Sequence, residues 1–253
     1  MSSLLSIRNL TVSVGCTALV DDISFDIAPG KIVAIAGGSG SGKTTIGLSV
    51  LRLLSPALKI QQGSIVFEGR DLLGLSAREM RACRGARIGM VFQEPLSAFD
   101  PLFTIGQQLD EVLVAHTALS KNDRYTKIID TLGEVELPDP KRAYSLYPHQ
   151  LSGGMRQRAM VAQAIVCDPS LIIADEPTSS LDISLQIKIM ELFSRLKKRN
   201  ISILLIAHDL GMIARLSDEV IILRKGKMVE SGLVGQVINQ PQHAYTKELI
   251  EAF

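Results

Sequence analysis

The sequence predicts an α/β fold in which a mostly parallel sheet follows an N-terminal antiparallel β subdomain and is interrupted by an inserted α-helical subdomain. Three observations predict it. Short, almost wholly apolar runs at residues 32–36 (IVAIA), 171–174 (LIIA) and 201–207 (ISILLIA) alternate with helical patterns, as buried parallel strands do. A glycine-rich stretch, GGSGSGKTT at residues 37–45, joins the first of these runs to a helix. Residues 94–168 then carry helical patterns broken near Pro101, Pro138, Pro140 and Pro148.

Taken in order, residues 6–14 and 23–27 alternate apolar and polar side chains and read as two antiparallel strands, with Pro29-Gly30 turning into the buried strand 32–36. A helical pattern covers residues 45–54, and residues 63–69 (GSIVFEG) form another short strand. Ser76-Ala-Arg-Glu79 is a capping-box start for a helix through Arg84. Residues 88–92 (IGMVF) return as a strand and deliver Gln93. After the helical stretch 94–168, strand and helix alternate through 171–175, 183–199, 201–207, 210–216 and 219–223. Gly226 and Gly232 punctuate a final hairpin, and residues 233–253 are a short helical tail.

The glycine-rich stretch fits Gly-x-x-x-x-Gly-Lys-Ser/Thr through Gly37, Gly42, Lys43 and Thr44. Its members Gly37, Gly38, Ser39, Gly40, Ser41, Gly42, Lys43, Thr44 and Thr45 predict a cradle of backbone N–H groups for a polyphosphate. Lys43 supplies a point charge for the β- and γ-phosphates and Thr44 a hydroxyl for Mg²⁺. A plain Gly/Ser turn needs neither the lysine, the threonine, nor the flanking strand and helix. Strand 171–175 ends in Asp175-Glu176, a pair suited to holding Mg²⁺ through water (Asp175) and to polarising an attacking water as a base (Glu176). Leu151-Ser152-Gly153-Gly154-Met155 opens a helix with a serine cap and exposed amides, a second place for an anion.

Composition bounds the partners. The 253 residues are 46% hydrophobic, enough for a substantial core, and 27 basic against 26 acidic residues give a net charge of +1. No nucleic acid is expected as partner, because the charges are interspersed rather than blocked. Cys16, Cys83 and Cys167 are odd in number and far apart, which indicates neither a disulfide framework nor a Cys-x-x-Cys site and fits a reducing compartment. No window reaches the ~18–20 apolar residues of a membrane span, and the first residues do not read as a cleaved leader. If a solute crosses a membrane, another chain makes the path.

With these motifs in place, the chain resembles the nucleotide-binding subunit of an ABC transporter along essentially its whole length, 1–253, as a single ATPase domain. The set comprises GGSGSGKT, Gln93 after an apolar strand, LSGGM, LIIADE, Ser180-Leu181-Asp182, and His208 after another apolar strand. The resemblance implies a P-loop (RecA-like) core with residues 94–168 as the inserted signature subdomain. It implies that Ser152, Gly153 and Gly154 touch the γ-phosphate of the ATP held by a second ATPase subunit, in a homo- or heterodimer. Gln93 would touch Mg²⁺ and the attacking water, Ser180, Leu181 and Asp182 would form the loop linking the two sites, and His208 would sense the γ-phosphate. Mg²⁺ would have Thr44, Gln93 and Asp175 around it.

Met155 stands where the family usually has Gln, as in the peptide and nickel importers. The stretch 91–106, Tyr147-Pro148 and residues 241–246 (PQHAYT) are also similar to that importer branch. Its implied assembly adds two membrane permeases and an extracytoplasmic solute-binding protein, with this subunit peripheral on the cytoplasmic face of the inner membrane. The solute would be a peptide, nickel or a metal chelate. No cysteine follows Cys167, so the iron–sulfur cluster some members carry is not expected. Val14 stands where an aromatic usually stacks on adenine, from which weak nucleotide binding and poor discrimination of ATP from GTP are expected. A cytosolic ABC-type ATPase uncoupled from transport, such as a phosphonate-breakdown accessory protein, shares every catalytic motif and stays open. A P-loop kinase would have no use for LSGGM.

Overall fold

The structure is a computed structural model that describes residues 3–179 and 181–251. Strands β1 (Leu5–Val14) and β2 (Thr17–Ile27) form a hairpin through Gly15, whose φ of 54° suits the turn. The alternation 23–27 marks only the second part of β2, because residues 17–22 place Ala18, Leu19 and Val20 side by side ahead of two aspartates and do not alternate. β3 (Ile32–Gly37) is buried at every position and runs into α1 (Lys43–Leu51). This helix begins two residues before the expected 45 and ends three before 54. Arg52 takes φ 51°, and its N–H reaches the carbonyls of Leu48 and Ser49, which closes the helix there.

β4 (Leu58–Phe67) also starts earlier than the glycine at 63 suggested. Gly63, at φ 104°, sits where β1 shifts register, and a Cβ there would lie 2.7 Å from the Arg8 carbonyl. It marks an irregularity inside the strand rather than the strand's start. β5 (Arg70–Asp71) pairs with the end of β4, and α2 (Ala77–Cys83) follows. The predicted capping box forms: Ser76 Oγ accepts from Glu79 N–H at 3.3 Å and the Glu79 carboxylate accepts from Ser76 N–H at 2.9 Å.

β6 (Ile88–Val91) leads to α3 (Pro95–Ala98), α4 (Ile105–His116), α5 (Lys121–Glu134), α6 (Pro140–Ser145) and α7 (Gly153–Ile165). Each of α4, α5, α6 and α7 opens on a side-chain cap, from Thr104, Ser120, Asp139 and Ser152 in turn. β7 (Leu171–Asp175), α8 (Ile183–Lys198), β8 (Ser202–Ile206), α9 (Leu210–Leu216), β9 (Glu219–Arg224) and β10 (Lys227–Leu233) restore the alternation. The tail is α10 (Val234–Asn239) and α11 (Ala244–Glu251).

The chain divides into two compact units, residues 1–80 with 196–253, and residues 81–195. In the first, one antiparallel sheet has the order β2-β1-β4-β5, and the strands β10-β9-β3-β8 are neighbours in a second. β3 pairs in parallel with both β8 and β9, while β9 and β10 form the antiparallel hairpin. Ile7, Ile35, Ile46 and Ile65 are wholly buried in this unit. In the second unit β6 and β7 pair in parallel, and Leu132, Val161, Ile172 and Phe193 are wholly buried. Among the described residues no helix is long and apolar enough to cross a membrane.

Candidate functional site

The first unit builds the phosphate loop, and close approach of backbone explains Gly37 and Gly42. A Cβ on Gly37 would stand 2.2 Å from the Leu223 carbonyl, and one on Gly42, at φ 100°, 2.6 Å from the Leu19 carbonyl. Gly226, in the β9–β10 turn, donates its N–H to the Ser41 carbonyl at 3.1 Å. The buried Lys43 is the first residue of α1, and its Nζ donates to the carbonyls of Gly37 (2.9 Å) and Gly38 (3.0 Å). The loop is therefore folded around its own lysine. Ser39, Gly40 and Thr44 are exposed, Thr45 is half-buried, and the buried Ser41 hydroxyl has no hydrogen-bond partner. The N-terminal amides and dipole of α1 favour an anion beside this turn.

A contact the sequence reading missed lies on the same loop: Gly38 N–H donates to the Tyr245 hydroxyl at 2.9 Å. The Arg224 guanidinium stands 4.6 Å from the centre of the Tyr245 ring. His208 is exposed, two residues beyond β8, and is followed by Asp209, whose carboxylate caps α9 by accepting from Met212 N–H at 3.1 Å. Val14 ends β1 with 40% of its surface exposed, opposite Thr17 and Leu58.

In the second unit β7 is buried throughout and ends at Asp175, only 4% exposed. Glu176 then turns the chain at φ 43°, a left-handed conformation that costs a non-glycine residue about 1–2 kcal/mol. The turn brings its carboxylate to Gln93, whose Nε2 donates to Oε2 at 2.9 Å across 83 residues. The expected coupling glutamine and the expected base are thus in direct contact. An amide donor fixes the carboxylate's orientation and leaves the amide oxygen as the atom Gln93 could offer a cation.

The signature stretch is likewise built. Ser152 caps α7, its Oγ accepting from Met155 N–H at 3.3 Å; Ser152 and Gly153 are exposed, Met155 is half-buried and Leu151 is buried. Gly154 is buried, and a Cβ on it would come within 2.8 Å of the Leu185 side chain. The buried Arg158 holds the helix from below, donating to the carbonyls of Val135 and Glu136 (both 2.9 Å) and to the Glu136 carboxylate at 3.1 Å. The Arg158 hydrogen bond holds the Glu136 carboxyl below the usual range, helped by the charge of Arg195 and opposed by slight desolvation. Asp182 caps α8, accepting from Leu185 N–H at 3.0 Å and from the Ser184 hydroxyl at 2.7 Å, and these bonds hold its carboxyl below the usual range. Leu181 N–H donates to the Thr178 carbonyl at 3.1 Å; Ser180 lies outside the described residues. Among the described residues no three His, Cys, Asp or Glu side chains gather as a metal site.

A family model described as "ABC transporter" matches residues 20–179. The chain is 43% identical over 256 residues to the dipeptide transport ATP-binding protein DppD of Bacillus subtilis, covering 99% of this chain and 76% of that protein. It is 42% identical to the oligopeptide transport ATP-binding protein OppD of Lactococcus lactis, covering 91% and 69%. Among solved structures, the dimeric post-hydrolysis state of the ATP-binding cassette MJ0796 bound to ADP and Pi superposes with a TM-score of 0.80 at 28% identity, covering 91% of this chain and 98% of that one.

Proposed function

The chain belongs to the ABC transporter family, and from that premise we propose that it is the ATP-hydrolysing subunit of a peptide importer. The observation that carries this reading is the likeness, over almost the whole chain, to a dipeptide transport ATP-binding protein. ATP enters as the substrate and the loop amides with Lys43 grip its phosphates. Ser152, Gly153 and Gly154 at the start of α7 take the γ-phosphate of the nucleotide on a second subunit. Residues 94–168 form the inserted signature subdomain, and 233–253 the tail.

The donor chemistry fits Mg²⁺: the Thr44 hydroxyl, the Gln93 amide oxygen and the Asp175 carboxylate are hard oxygens, few enough to leave places for water and phosphate. When bound, the ion neutralises charge that develops on the transferring phosphoryl group. Glu176, oriented by Gln93, accepts the proton of the attacking water, and His208 and Gln93 report whether the γ-phosphate is present. ATP bridging two copies supplies the anions that hold them together, and phosphate release removes that bridge. The opening and closing of this dimer drives two permeases, and so locates the subunit on the cytoplasmic face of the membrane, with a solute-binding protein outside. Leu102 and Phe103, 79% and 49% exposed in the helical region, are apolar surface available to a permease.

Deletion of this chain is expected to abolish uptake of labelled di- or oligopeptides, with recovery on expression of the unaltered chain and none with Glu176→Gln. Undiminished peptide uptake together with ATPase activity that never co-purifies with permeases would favour the cytosolic, non-transport alternative instead. Val14→Tyr is expected to tighten ATP binding by roughly one to two decades, since stacking a base on an aromatic contributes about 1–3 kcal/mol. Calorimetric titration of the two proteins checks this, and equal affinities would remove Val14 as the cause of weak binding.

A further inference from the structure

The tail, itself part of the first unit, is wired to the phosphate loop. Tyr245, the second residue of α11, is 207 residues from Gly38 in sequence, yet its hydroxyl accepts the Gly38 N–H at 2.9 Å. Two independent devices hold the tyrosine in place. The Glu230 carboxylate of β10 accepts the N–H groups of Gln242 (2.9 Å) and His243 (3.0 Å), and His243 Nδ1 accepts the N–H of Tyr245 itself at 3.1 Å. From the other side, Arg224 at the end of β9 lies over the ring at 4.6 Å. The segment that enters α11 is thus fixed at its start, and the ring is fixed at its face.

The group so positioned acts on the peptide that matters for Lys43. The same Lys43 Nζ donates to the carbonyls on both sides of the Gly38 amide, those of Gly37 at 2.9 Å and Gly38 at 3.0 Å. A hydrogen bond that stops the Gly37–Gly38 peptide from rotating therefore also fixes one anchor of the lysine ammonium, the Gly37 carbonyl of that same peptide, and leads directly into the second. Contact is close enough that a Cβ on Gly38 would stand 3.2 Å from the Tyr245 hydroxyl. We propose that Tyr245 is a positioning residue for nucleotide binding, by which the C-terminal tail holds the phosphate loop and Lys43 in their phosphate-gripping arrangement. This rests on the ATPase reading of the loop. By linkage, a docked tail favours nucleotide and bound nucleotide favours a docked tail.

The test is Tyr245→Phe in the full chain, which keeps the ring and its Arg224 contact and removes only the hydroxyl. Expected are a three- to tenfold rise in both the Kd for Mg-ATP and KM, about the worth of one neutral hydrogen bond, with kcat retained and the melting temperature of the nucleotide-free protein lowered by no more than about 2–4 °C. A double-mutant cycle with Gly38→Ala adds a readout that a remote packing role would not move. Gly38→Ala crowds the hydroxyl, so its effect on Kd is expected to shrink in the Tyr245→Phe background. ATP binding by the parent with an unchanged Kd in Tyr245→Phe overturns the proposal alone, as do strictly multiplicative effects in the cycle. A parent chain that binds no ATP removes the ATPase reading and this proposal with it.

Discussion

Replacement of Glu176 by glutamine is expected to lower ATP turnover by about 10²- to 10⁴-fold, the range a positioned general base contributes, while leaving ATP binding intact. The geometry is specific about why. Glu176 is held at φ 43° and takes a hydrogen bond from Gln93 at 2.9 Å, so the carboxylate is aimed before any substrate arrives. A glutamine of the same size can occupy the same place and accept the same bond, but it cannot take a proton from water. With hydrolysis stopped and phosphate contacts kept, the ATP-bridged dimer should accumulate. Light scattering of the variant with Mg-ATP is expected to report a persistent dimer that dissolves on nucleotide removal. Brisk residual hydrolysis, or a protein that stays monomeric with ATP, would remove Glu176 from that role.

Lys43→Ala is expected to weaken ATP binding by about 10- to 150-fold, from the roughly 1.5–3 kcal/mol of a hydrogen bond to a charged group. Its side chain is buried, and its ammonium ties together the carbonyls of Gly37 and Gly38. Alanine removes the positive charge from the phosphate site and also takes one donor from each of those carbonyls, Gly38's keeping the Ser41 N–H at 3.3 Å, so the loss falls on Kd as well as on turnover. The contrast with Glu176→Gln is diagnostic: one variant loses nucleotide, the other keeps it and stalls. Equilibrium titration of both with Mg-ATP separates them, and an unchanged Kd in Lys43→Ala would mean that the loop does not bind phosphate.

Much of the local architecture was legible beforehand. The helix at residues 210–216 matches α9, Ser76 and Glu79 form the expected capping box, and Ser152 caps α7 where the serine-glycine pattern placed a helix start. These features depend on neighbours within a turn or two, so periodicity and caps carry them. Boundaries were less legible. The first half of β2 is a strand because β1 pairs with it from Val14↔Thr17 onward, not because its own residues alternate, whereas the start of β4, Leu58-Lys59-Ile60-Gln61, does alternate but over too few residues to stand out before Gly63.

What the sequence by itself determined was the chemistry on offer: a lysine and threonine after a glycine-rich turn, two carboxylates ending an apolar strand, a serine-capped helix, and the family these resemble. Only the tertiary structure decided which groups are bound to which. Gln93 meets Glu176 across 83 residues, Arg158 reaches the Val135 carbonyl across 23, and Tyr245 seats on Gly38 across 207. Such pairings leave no periodic trace, because a single hydrogen bond between distant segments is set by how strands and helices pack, and any polar residue of suitable length could have been its partner.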